Sequence, residues 1–194
     1  MRAFTNILLV FLFTACTSVP DERMTSYVDF PETRELTART LSLDSALFRY
    51  PYRVRVQDDK AVVLDLHGTE YFFHAFHYPG FHYLSSFGKR GDAPEEMLSA
   101  ENLRWNGNFL WTLDSNKSEL TRLGFASSGD SLLRLEAVSL DEELLRALDF
   151  VQYDDSTFII PDYSGDGRFC LVSRQGKLLR KIGTVPTANE DALK

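Results

Sequence analysis

Cysteine is nearly absent from this chain. Its 194 residues hold two, Cys16 and Cys170, too few for a disulfide framework. Long apolar runs are missing too. The run Ile7-Leu8-Leu9-Val10-Phe11-Leu12-Phe13 falls well short of the ~20 residues that span a bilayer. Positive charge is the scarcer sign, with 21 Lys and Arg against 28 Asp and Glu and a net charge of −7. That balance argues against a nucleic-acid surface. No polybasic run is present, which argues against a basic membrane patch. The spacings Gly-x-Ser-x-Gly, His-Glu-x-x-His and Cys-x-x-Cys are absent, and Gly88-Lys89-Arg90-Gly91 lacks the Gly-Lys-Ser/Thr of a phosphate loop.

What is present begins with an export signal. Arg2 precedes the apolar run, and Thr14-Ala15-Cys16 follows it, the layout of a cleaved signal peptide over residues 1–15. Phe13-Thr14-Ala15-Cys16 resembles a bacterial lipobox, which implies lipidation of Cys16. The alternative is an ordinary secretory signal in which Cys16 is incidental. Residues 16–35 are polar and irregular, a tether between lipid and domain. Cys170 sits in the strand-like run Arg168-Phe169-Cys170-Leu171-Val172 and is expected to be a buried small apolar residue.

From residue 36 onward the dominant pattern is a repeat. Leu36–Leu43 is expected to form a first strand. Then Tyr52–Val56, the turn Asp58-Asp59-Lys60 and Ala61–Asp65 make strand, turn, strand. Leu103–Trp105, Asn106-Gly107-Asn108 and Phe109–Asp114 repeat it, as do Phe150–Tyr153, Asp154-Asp155-Ser156 and Thr157–Asp162. The closing aspartates Asp65, Asp114 and Asp162 lie 114 − 65 = 49 and 162 − 114 = 48 residues apart. Such a period with a hairpin inside it marks propeller blades. The expected fold is therefore all-β, a partial β-propeller of about three four-stranded blades, with one or two short helices. One helix is expected after the capping box Ser139-Leu140-Asp141-Glu142 and a helical turn at Pro94–Met97. Three units cannot close a ring. The expectations are a shortened descendant of a longer propeller, pairing with another copy through open sheet edges, or an open arc.

The first unit ends in Phe87-Gly88-Lys89-Arg90-Gly91-Asp92-Ala93-Pro94-Glu95. This stretch resembles the connector of exported six-bladed propeller proteins of the TolB-like/NHL type, abundant as lipoproteins in Bacteroidetes. Gly88, Gly91, Pro94 and Glu95 match that pattern, while Asp92-Ala93 stands in its glycine-rich centre. The likeness spans about residues 36–186, the first half of such a protein, leaving 187–194 as a tail. It implies a propeller fold and an envelope location, and it carries over no catalytic residue.

Several residue sets invite chemistry. His67, His74, His77 and His82 are close in sequence, but in a strand His74 and His77 point to opposite faces, so structural roles are expected. Asp162-Tyr163-Ser164-Gly165-Asp166-Gly167 resembles the start of a calcium loop. Its twelfth position is Ser173, which removes the bidentate carboxylate and favours a plain turn. Arg90-Gly91-Asp92 is explained by the connector's turn. Asp65, Asp114 and Asp162 are expected to cap turns, the alternative being a ring of axial carboxylates that binds a cation.

The functional expectation is an envelope-anchored lipoprotein acting as a binding or scaffolding module, without catalytic, metal or cofactor residues. It is held to the membrane by its lipid, and its ligand is a protein or a glycan rather than nucleic acid. The alternatives are a metal-dependent propeller hydrolase or lyase, and a non-functional fragment.

Overall fold

A computed structural model of the chain describes residues 32–41, 43, 48–144, 146–164 and 167–183. The signal segment 1–15, Cys16, Gly165-Asp166 and the tail 187–194 lie outside the described residues. The chain divides into two compact units, Met1–Thr40 and Leu41–Lys194. In the first, residues 32–40 are exposed and carry no regular structure. Among the described residues, the strand expected over 36–43 does not form, and Leu36 is 92% exposed. Alternating apolar residues supply a face, but a strand also needs a neighbour to take its backbone hydrogen bonds.

The second unit is built from three four-stranded antiparallel sheets. The first holds β1 (Pro51–Gln57), β2 (Lys60–Asp65), β3 (Tyr71–His77) and β4 (His82–Lys89). The second holds β5 (Asn102–Asn106), β6 (Phe109–Asp114), β7 (Glu119–Phe125) and β8 (Leu132–Ser139). The third holds β9 (Val151–Asp154), β10 (Thr157–Pro161), β11 (Phe169–Ser173) and β12 (Leu178–Ile182). Strands follow one another across each sheet in chain order, as in propeller blades. Turn chemistry fixes the hairpins. Asp58 at φ 50° and Gly107 at φ 54° supply the left-handed backbone that tight turns after β1 and β5 require.

Period-two alternation puts successive apolar residues on opposite blade faces, so the second blade packs on the first with one face and on the third with the other. Val62 and Leu64 of β2 share a core with Leu103, Leu110 and Leu123 of the second blade. Trp111 and Leu113 of β6 share another with Phe158, Ile160, Cys170 and Val172 of the third. Trp111 meets the Phe158 ring edge-on at 5.1 Å between centroids. The remaining face of the first blade, Ala61, Val63 and Phe76, is covered by Leu43, Phe48 and Phe81. The first strands of neighbouring blades converge: β1 and β5 touch each other, and the Arg55 Nε–H donates to the Leu103 carbonyl at 3.2 Å.

Among the described residues there is no helix. The expected helical turn at 94–97 is a single turn closed by the Glu96 N–H on the Ala93 carbonyl. The segment after Ser139 is likewise a turn, closed by Leu144 N–H on Asp141 O. Its cap is Asp141, whose carboxylate accepts from Glu143 N–H at 3.2 Å and Leu178 N–H at 3.3 Å, rather than Ser139. The helical spacing still has a cause: Leu140, Leu144, Ala147 and Phe150 all bury in the core between the second and third blades. Docking against β6 and β10 replaces the later helical turns.

Candidate functional site

The convergence of β1, β5 and β9 opens a groove of about 380 Å³. Arg55, Val56, Arg104, Trp105, Asn106 and Gln152 are among the residues that line it. Three of these are one repeat position, since 104 − 55 = 49 and 152 − 104 = 48. The period that spaces the aspartates thus also spaces Arg55, Arg104 and Gln152, ten residues before each. Leu103 turns into the blade core, while Arg55, Arg104 and Gln152 stay half-buried.

The groove is electropositive. Arg104 forks onto Asp149 through Nε at 3.2 Å and Nη2 at 2.9 and 3.0 Å. Asp149 also accepts from Phe150 N–H at 2.7 Å and from the Asn102 amide. Burial works against the Asp149 charge, but the Arg104 hydrogen bonds and the Phe150 N–H outweigh it and hold the carboxyl below the usual range. Arg55 is lowered by burial first, then by the charges of Arg53 and Arg104, with Asp149 opposing. A guanidinium so placed stays charged. Arg104 and Arg55 thus both act with Asp149. In the adjoining groove, lined by Asn108, Arg122, Asp155 and Arg174, the charges balance. There Glu136 pairs with Arg122 at 3.1 Å and Arg174 at 2.6 Å.

The repeated aspartates lie elsewhere. Asp65 and Asp114 end β2 and β6, and Asp162 directly follows β10, each at the opposite end from the hairpins that border the groove. Asp65 is fully buried and accepts from Arg49 N–H at 2.8 Å and Tyr50 N–H at 2.6 Å. Asp114, 1% exposed, accepts from Leu98 N–H at 2.7 Å and Ser99 Oγ at 2.8 Å. It also caps its own turn through Asn116 and Lys117 N–H, each at 3.0 Å. Asp162 accepts from Ser164 N–H at 2.9 Å and Ser164 Oγ at 2.6 Å, with Lys181 Nζ at 3.4 Å. In the first two blades the carboxylate thus ties down the segment leading into the first strand, a role beyond turn capping. Among the described residues, no group of three His, Cys, Asp or Glu side chains comes together around a metal position.

The other candidates are dispersed. His74 is 7% exposed, joins Ser86 Oγ through Nδ1 at 2.8 Å and takes the edge of the Phe48 ring. His77 is exposed beside Asp59 at 3.4 Å. Cys170 is 1% exposed, and burial pushes its thiol up, away from a reactive thiolate. Arg90 lies over the Phe72 ring and donates to the Gly68 carbonyl at 3.0 Å, which makes it part of the connector. Arg55, Arg104 and Gln152 are inconspicuous in the sequence, because a polar residue on an alternating strand looks like part of a solvated face. The signal that finds them is the repeat period applied to every polar position.

Comparison with known proteins agrees with this architecture. A family model described as TolB-like 6-blade propeller-like matches residues 29–194. The crystal structure of a Bacteroides fragilis protein described as exported matches with TM-score 0.59 and 14% identity, over 78% of this chain and 42% of that one. A Desulfotomaculum acetoxidans protein of unknown function matches with TM-score 0.48 and 14% identity, over 68% of this chain and 42% of its own. The chain therefore spans less than half the length of these solved proteins. No curated protein matches it. The chain belongs to the TolB-like 6-blade propeller-like family.

Proposed function

We propose that this protein is an envelope-anchored binding module whose ligand sits in the groove between β1, β5 and β9. The observation that carries the reading is the groove itself. All three blades contribute residues to this cavity, and of its two arginines, Arg55 and Arg104, only Arg104 has a carboxylate partner within ion-pair distance among the described residues. Concave sites with a few convergent polar groups are where ligands bind. The anchor rests on the lipobox-like Phe13-Thr14-Ala15-Cys16 and the tether after it. Export is in keeping with the description of the Bacteroides fragilis structure.

Two measurements test this. Labelled palmitate fed to cells is expected to mark the chain and to be lost in Cys16→Ser. Equal labelling of the two removes the anchor. For the groove, the tagged chain is recovered from solubilised envelope beside Val56→Trp, which fills the cavity from an exposed position on β1. The wild-type chain is expected to retain a component that the variant releases, and a component retained equally by both places the ligand elsewhere.

A further inference from the structure

We infer that the groove takes a carboxylated sugar, a uronate, with its carboxylate between Arg55 and Arg104. This rests on the reading of the groove as the ligand site and adds the chemistry of the ligand. The chain as a whole is acidic, at −7, yet this groove is lined by Arg55 and Arg104, with Asp149 paired to Arg104. Arg104 uses Nε and Nη2 on Asp149, and Arg55 uses Nε on the Leu103 carbonyl. Arg104 Nη1 and Arg55 Nη2 make no hydrogen bond to the described residues. One terminal nitrogen on each arginine is thus left to donate a charge-assisted hydrogen bond to a carboxylate.

The rest of the wall suits a sugar. Gln152 donates through Nε2 to the Asp154 carbonyl at 3.0 Å, which leaves its amide oxygen to accept from a hydroxyl. Asn106 is exposed at the same wall. Val56 and Val151, 45% and 44% exposed, offer an apolar surface to the C–H face of a pyranose. An extended peptide is disfavoured. On the edge of β5 it would have to displace Arg55 from the Leu103 carbonyl, with the Gln57 amide on the Gly107 carbonyl in the turn beyond the strand. Side chains of the first blade thus close the edge that strand addition needs.

The test is calorimetric titration of the full chain in detergent micelles with trigalacturonate. Its neutral twin galactotriose, triglutamate and inorganic phosphate serve as the other probes. Trigalacturonate is expected to bind at least about tenfold tighter than any of the three and to weaken as sodium chloride rises. Arg55→Gln is expected to reduce that affinity about tenfold, with Arg55→Lys between the two. Equal affinity for galactotriose, triglutamate or phosphate overturns the proposal, as does the absence of binding. Should Arg55→Gln fail to fold, the comparison of acidic and neutral sugars on the unaltered chain still decides. If no sugar binds while Val56→Trp still releases an envelope component, the uronate is wrong and the groove stands. If Val56→Trp retains that component, the groove itself is wrong.

Discussion

Asp114 shows what a single buried carboxylate does in this fold. Its oxygens accept from Leu98, Ser99, Asn116 and Lys117, joining the approach to β5 with the end of β6. Asp114→Ala removes the buried carboxylate that joins these N–H groups and is expected to cost about 1–3 kcal/mol in urea unfolding. Asp162→Ala is expected to cost less, because its carboxylate is held by Ser164, two residues on, whereas Asp114 also ties down Leu98 and Ser99 from the approach to β5. Equal losses would contradict the distinction. His74 makes a second test. Burial, opposed by the charge of Asp65, holds this imidazole below its ordinary value. The unfolded chain therefore takes up a proton near pH 6.5 that the folded chain still refuses. Stability is expected to fall as pH drops below about 6.5, and His74→Gln is expected to flatten that part of the profile. Urea midpoints at about pH 7.5 and about pH 5.5 measure it, and an unchanged slope in the variant contradicts it.

At the scale of elements, Gly88 near the end of β4 and Gly107 in the hairpin between β5 and β6 show two uses of glycine. Gly88 has φ 66°, and a Cβ there would stand 2.6 Å from the buried Phe73 ring. Gly107 has φ 54° with open space around it. Gly107→Ala is expected to cost only the left-handed backbone, about 1–2 kcal/mol, and Gly88→Ala distinctly more, since a packed ring must move. Thermal unfolding of the pair tests this, and equal midpoints would contradict it. Between blades, Trp111→Ala removes the contact with Phe158 and the stack of Arg174 at 4.5 Å, an expected loss of about 3–5 kcal/mol. These elements were largely legible in the sequence, because hairpin turns and alternation are local signals. The strand at 36–43 and the helix after Ser139 were misread for a shared reason. Each has the right spacing, but one has no strand to pair with and the other spends its apolar residues on docking to β6 and β10. Partners distant in sequence decide both, and periodicity is blind to them.

For the molecule as a whole, the repeat carries both stability and site on one period. Ten residues separate Arg55 from Asp65 and Arg104 from Asp114. In each case the arginine borders the groove and the aspartate secures the far end of the same blade. The aspartates were the conspicuous set in the sequence because each ends an apolar strand. The site needed the third dimension, since Arg55 and Arg104 meet only when β1 and β5 converge. Asp149, the partner of Arg104, comes from a loop 45 residues away. The most direct test of the groove as the working surface is photo-crosslinking in living cells. Benzoylphenylalanine is placed at position 56, in the groove, or at position 135 on the outer strand β8, where Val56 and Leu135 are 45% and 47% exposed. A discrete adduct from position 56 and none from position 135 is the predicted result; an adduct from position 135 alone, or the same adducts from both, would contradict it.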